Sequence, residues 1–86
     1  MTEAVNRDAL RRQFLTVCQE IVDGRRSPYD GARFIWTVVW EADRERFASL
    51  IPFVGMASEW EDDPANRAAI EADIVAAAHR ALNAEA

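Results

Sequence analysis

The residues best placed to do chemistry lie between 59 and 63, where Glu59-Trp60-Glu61-Asp62-Asp63 sets four carboxylates around one indole. Asp63, next to Pro64, reads as a helix cap, and Asp62 favours the start of the helix that follows. Glu59 and Glu61 are less comfortable. They fall near the end of a helical segment, where the helix dipole disfavours negative charge by about 0.3–1 kcal/mol each. Carboxylates around an aromatic ring suit the capture of a basic partner, since charge steers the approach and the ring supplies contact area. Glu59, Trp60, Glu61 and Asp62 are therefore the candidate partner-binding residues, with Glu41 or Glu45 nearby. The competing reading is a solvated helix end with Trp60 packed inward.

Other chemistry finds less support. His79 is the only histidine, so no paired histidine metal site can form, and its spacing places it opposite Ile74 and Ala77, on a solvated face. Cys18 falls on a helix-core face and reads as a small buried hydrophobe rather than a reactive thiol. Ser27 and Ser58 have no local base and no nucleophile-elbow pattern. Arg25 and Arg26 make a small basic spot, either a solvated turn or an anion site at the helix start that follows. Gly24 and Gly31 lack the Lys-Ser/Thr ending of a phosphate loop. Asp62-Asp63 with Glu59 and Glu61 lacks the Asp-x-Asp-x-Asp-Gly pattern of a calcium loop. Asp43, Glu45, Glu59 and Glu61 could meet across helices for acid–base work, but in a chain with 15 acidic residues carboxylates become neighbours by chance. No catalytic residue, metal or cofactor is expected.

Composition narrows the partner. Ten arginines and no lysine stand against 15 acidic residues, for a net charge of −5. That balance argues against nucleic acid, whose phosphates need a basic face. No apolar run reaches the roughly 18 residues of a membrane span, and the start, MTEAVNRDALRR, has no signal-peptide core. The single cysteine cannot close an internal disulfide, which fits a reducing bacterial cytoplasm. Half of the 86 residues are apolar, enough for one folded domain spanning residues 1–86.

The segments that carry these groups read as helices. Leu10, Phe14, Val17, Cys18 and Ile21 recur at helical spacing in a segment running from about Thr2 or Asn6 to Asp23, with Gly24 suited to its left-handed end. Ser27 and Pro28 open a second helix as cap and first residue. Its run Phe34-Ile35-Trp36-Thr37-Val38-Val39-Trp40 is rich in strand formers. However, Asp30, Arg33, Thr37 and Glu41 fall within an arc of about 80° at helical spacing, which predicts a central helix buried on nearly all sides with one wet stripe. A break near Asp43 is expected, with Asp43 capping a short helix to Ile51 whose apolar face is Phe47, Leu50 and Ile51. Pro52 then opens a fourth segment with Phe53, Ala57 and Trp60 on one face. Asp63 and Pro64 begin the last, with Ile70, Ile74, Ala77, Ala78, Ala81 and Leu82 inward and fraying near Asn83. The fold class is all-α, a bundle of four to five helices.

Two stretches, Gly24-Arg25-Arg26-Ser27-Pro28-Tyr29-Asp30-Gly31-Ala32-Arg33 and Phe53-Val54-Gly55-Met56-Ala57-Ser58-Glu59-Trp60-Glu61-Asp62-Asp63-Pro64, cover about a quarter of the chain. They resemble small uncharacterised bacterial proteins that carry G-x-x-S-P-x-[DE]-G-A and F-V-G-x-A-S-E-x-E-D-x-P motifs. That resemblance implies no activity. Size, acidity and helical character are also similar, in a general way, to small immunity proteins of bacterial toxin systems. The expected function is a non-enzymatic interaction module, an immunity-type inhibitor or adaptor that meets a basic protein surface. Alternatives are a ligand-binding or catalytic bundle with Trp36, Trp40 and Trp60 around a pocket, and a homo-oligomeric structural bundle. A homodimer is expected from the apolar circumference of the second helix.

Overall fold

The structure, a computed structural model, describes residues 7–41 and 48–85. Among them every regular element is helical: α1 (Arg7–Val22), α2 (Pro28–Phe34) continuing directly as a π-helix (Ile35–Trp40), α3 (Ile51–Asp62) and α4 (Arg67–Glu85). Short 3-10 turns at Ala48–Leu50 and Pro64–Asn66 lead into α3 and α4. The expected break and cap at Asp43, and the places of Glu45 and Phe47, lie outside the described residues.

α1 and α4 pack along each other, α3 lies against α4, and α2 touches all three. The core they enclose takes Phe14, Val17, Cys18 and Ile21 from α1 and Ala32, Ile35 and Val39 from the second helix. Leu50, Phe53 and Ala57 come from the α3 side, and Ile70, Ile74, Ala77, Ala78 and Ala81 from α4. Phe14 and Phe53 meet edge to face, with ring centroids 5.6 Å apart, a favoured aromatic arrangement. Burial pushes the Cys18 thiol up to about 12, so the sulfur stays protonated and inert.

The turn between α1 and α2 is built from local rules. Gly24 adopts φ +78°, and the amides of Gly24 and Arg25 close back onto the carbonyls of Ile21 and Glu20, satisfying helix-end acceptors. The Ser27 hydroxyl accepts from the Asp30 amide at 3.1 Å, and Pro28 opens α2. Arg26 donates to Glu20 at 2.7 Å and Arg25 to Asp23 at 3.1 Å. The basic spot is thus matched by carboxylates of its own neighbourhood.

Three expectations need correction. The second helix is not buried on nearly all sides. Gly31, Ala32, Ile35 and Val39 are buried, while Phe34, Trp36 and Trp40 are half-buried and Val38 is 37% exposed. The wet stripe of Asp30, Arg33, Thr37 and Glu41 is exposed, as its spacing predicts. The π-helix decides which apolar side chain is the open one. At the 100° per residue of an α-helix, Trp40 would stand about 140° from Ile35 and within about 20° of Arg33, whereas Val38 would be only about 60° from Ile35. Bonding from i to i+5 puts more residues in each turn, so each step turns less. The accumulated lag carries Trp40 back toward the core and Val38 out of it. The larger apolar surface is the one covered.

Ile51, expected on the apolar face of a third helix, is instead 56% exposed. The 3-10 turn at Ala48–Leu50 runs straight into α3, so Leu50, Phe53 and Ala57 form one inward face at spacings of three and four. Ile51 lies about 200° from Phe53 on that helix.

Asp63 begins the last segment, but its side chain caps no backbone amide. Its carboxylate accepts from the Asn66 side-chain amide at 2.8 Å, and the first turn is closed by the Asn66 amide on the Asp63 carbonyl at 3.1 Å. From there α4 carries the chain past Asn83. It continues to Glu85, held by the burial of Ala81 and the high helix propensity of alanine.

Candidate functional site

The last turn of α3 carries Glu59, Trp60, Glu61 and Asp62, and the structure brings α2 and α4 to meet it. Tyr29, at the start of α2, stacks on Trp60 with centroids 3.9 Å apart and planes 14° apart. The Arg67 guanidinium, from the first turn of α4, lies 3.8 Å from the centroid of the same indole. Two groups this close to one ring centre cannot share a face, so Trp60 is sandwiched between Tyr29 and Arg67. Its Nε1–H donates to Glu71 Oε2 at 2.8 Å. All polar capacity of the indole is met.

Arg67 has a second task. Its Nε–H donates to the Trp60 carbonyl at 2.9 Å. That carbonyl is one of the four at a helix end that have no partner within the helix. A cation from α4 thus sits at the negative end of the α3 dipole, which relieves the conflict between that dipole and Glu59 and Glu61.

The carboxylates divide into two kinds. Glu61 accepts a short hydrogen bond from the Tyr29 hydroxyl, and Glu71 accepts from Trp60. Glu59 and Asp62 are exposed on the outer side of α3. Asp30, beside Tyr29 in the chain, is exposed too, so α2 adds a carboxylate to the acidic edge. Glu41 is exposed on the far side of the π segment.

Tyr29, Asp30, Arg67 and Glu71 belong to this cluster, and the pattern of residue types does not single them out as site residues. For Arg67 and Glu71 a signal exists, since a spacing of four puts both on one face of α4. For Tyr29, 32 residues from Glu61, there is none.

The Tyr29 phenol is held above its ordinary value of 10, first because its hydroxyl donates to Glu61, then by desolvation and by the Glu61 charge, with Arg33 opposing. Ionisation would break the bond and set a phenolate against a carboxylate. The neutral form therefore supports the fold. That contribution is complete below about pH 10, the unfolded value, and is lost as pH rises through the higher native value. Tyr29 is the only tyrosine, so ultraviolet titration of phenolate reads it directly. The native midpoint should lie above that of the unfolded chain, and Glu61→Gln should bring the two closer together. Coincident native and unfolded midpoints would show that the bond does not persist in solution.

Other candidate chemistries are not assembled around this edge. His79 is exposed on α4. Among the described residues no three His, Cys, Asp or Glu side chains are grouped to hold a metal ion, and no helix is long and apolar enough to cross a membrane. A surface depression of about 200 Å³ lies between Ser49 and Pro52 on one side and Ala77, Arg80, Ala81 and Ala84 on the other. None of the three tryptophans lines it, and it is smaller than the roughly 300 Å³ at which ordinary ligand pockets begin. No protein-family model, curated protein or solved structure matches the chain.

Proposed function

We propose that this protein is a non-enzymatic interaction module, of immunity-inhibitor or adaptor type. Its acidic edge of Asp30, Glu59, Glu61 and Asp62 docks a basic surface on another protein. The observation that supports this most is the division of labour at Trp60. Arg67, the nearby cation of α4, is engaged by the indole face and the helix-end carbonyl, which leaves Glu59 and Asp62 facing water with Asp30 added from α2. Tyr29, Trp60 and Arg67 then act as a rigid backing that fixes where the carboxylates point, and a preorganised contact loses less side-chain entropy on binding. Val38 and Ile51 are the large apolar side chains most open to water among the described residues, so the partner is met through charge rather than a broad apolar patch, and a second copy of the chain is the weaker reading.

Charge at an interface rim chiefly sets the association rate and its salt dependence. Glu59→Gln with Glu61→Gln should slow association with a partner captured from the source cells and flatten its dependence on salt, measured by binding kinetics at two ionic strengths. The fold should survive, because glutamine can still accept from Tyr29 and two charges are removed from a helix C-terminus. Unchanged kinetics in the double variant would reduce these glutamates to solvated charges and end the proposal.

A further inference from the structure

We propose that the second helix is a two-register element. The π segment is one register and a continuous α-helix the other, and passage between them exchanges Val38 for Trp40 at the surface. Three observations meet at this segment. Ile35–Trp40 has π geometry directly after the α-helical turns of Pro28–Phe34, a local arrangement frequent at functional sites. Both candidates for the inner position are apolar, so either register can close the core: Val38 is 37% exposed while Trp40 is half-buried. The Thr37 hydroxyl donates to the Arg33 carbonyl at 2.9 Å at the threshold of the π turn, a back-bond that bends and loosens helices.

Ile35 is the pivot. It is wholly buried and lies at the first step of the π segment, so its place is the same in both registers. Beyond it, restoring the 100° step rotates Val38 to about 60° from Ile35 and Trp40 to about 140° from it, beside Arg33. Trp36 then stands four residues before Trp40 on the same outer face, and the two indoles form a neighbouring pair. The π register covers more apolar surface through Trp40, and the α register recovers regular hydrogen bonding and covers Val38. These terms oppose each other, and the result is a major and a minor state rather than one. Helix register shifts occur in microseconds to milliseconds.

The test uses the full-length protein labelled with 5-fluorotryptophan, its three fluorine resonances assigned by single Trp→Phe variants and followed by relaxation dispersion. Exchange is expected at Trp40. Val38→Leu adds one methylene to the side chain that the α register buries, so the minor population should rise about four-fold. Val38→Asp would put a carboxylate into the core in that register, so exchange at Trp40 should vanish. Both variants change a side chain that faces water in the major state, and both should fold. Absence of exchange at Trp40 in Val38→Leu, or exchange that persists in Val38→Asp, overturns the proposal.

Discussion

Trp60→Ala is expected to lower stability by about 3 kcal/mol, the lower end of the range for removing a large aromatic side chain, because this ring is half-buried. The loss has separable parts. The stack on Tyr29 contributes about 0.5–1.5 kcal/mol, and the Arg67 contact about 0.5–1 kcal/mol at an exposed site. The remainder is apolar burial and the hydrogen bond to Glu71. For a domain of this size the change corresponds to a fall in melting temperature of about 12–24 °C. Trp60→Phe separates the parts further. It keeps a ring between Tyr29 and Arg67 but leaves Glu71 without its donor, and should lose about 1–2 kcal/mol. Thermal unfolding followed by circular dichroism measures both. An alanine variant within about 1 kcal/mol of the parent would mean that the sandwich does not hold α2, α3 and α4 together, and the rigid backing proposed for the acidic edge would go with it.

Gly31→Ala is expected to destabilise by about 1–2 kcal/mol, although alanine is favoured over glycine in a helix by about 1 kcal/mol. A Cβ at position 31 would sit 2.5 Å from Ile21 Cδ1 and 2.6 Å from Ile21 Cγ1. Ile21 is itself buried at the α1–α2 contact, so it has little room to give, and overpacking of this kind loses about 1–3 kcal/mol. The sign is decided by that neighbour and can be reversed by removing it. In an Ile21→Ala background the same Gly31→Ala change should become stabilising by about 0.5–1 kcal/mol. Gly55 on α3 is exposed, and a Cβ added there would meet nothing within 4 Å. It is the internal control: Gly55→Ala should stabilise by about 0.5–1 kcal/mol. Urea denaturation of the four-member Ile21/Gly31 set measures the coupling. Additive effects at the two positions would show that α1 and α2 do not approach this closely in solution.

The site is partly legible without the fold. The acidic run from Glu59 to Asp62 and the central indole can be found from residue types alone. What they touch cannot. Trp60 is open to two readings, contact anchor or inward-packed ring, and its covered faces belong to Tyr29 and Arg67, one of them far away in the chain. The tension between Glu59, Glu61 and the α3 dipole is a local conflict that the spacing of the charges exposes, and its relief by Arg67 comes from another helix. The motif from Gly24 to Ala32 likewise divides. Gly24, Ser27 and Pro28 act through bonds within a few residues, and their roles follow from backbone chemistry. Gly31 is needed for a contact with Ile21, ten positions away, which no local pattern announces.

Residue types and their spacing suffice for the all-helical class, the start of α2, the inward faces of α1 and α4, Phe53 and Ala57 on α3, and the wet stripe of Asp30, Arg33, Thr37 and Glu41. These rest on helix periodicity, on capping chemistry and on the aversion of charge to burial, all of which act within a turn or two. The π register at Ile35–Trp40, the exposure of Ile51, the side-chain partner of Asp63 and the sandwich around Trp60 emerge once the helices are packed together. Each of those is a choice between alternatives that local chemistry does not separate: Val38 or Trp40 inward, Ile51 toward the core or toward water at the entry to α3, a backbone amide or the Asn66 amide on Asp63. Such choices are settled by which surfaces the other helices bring within reach, and that information is not held in any one segment.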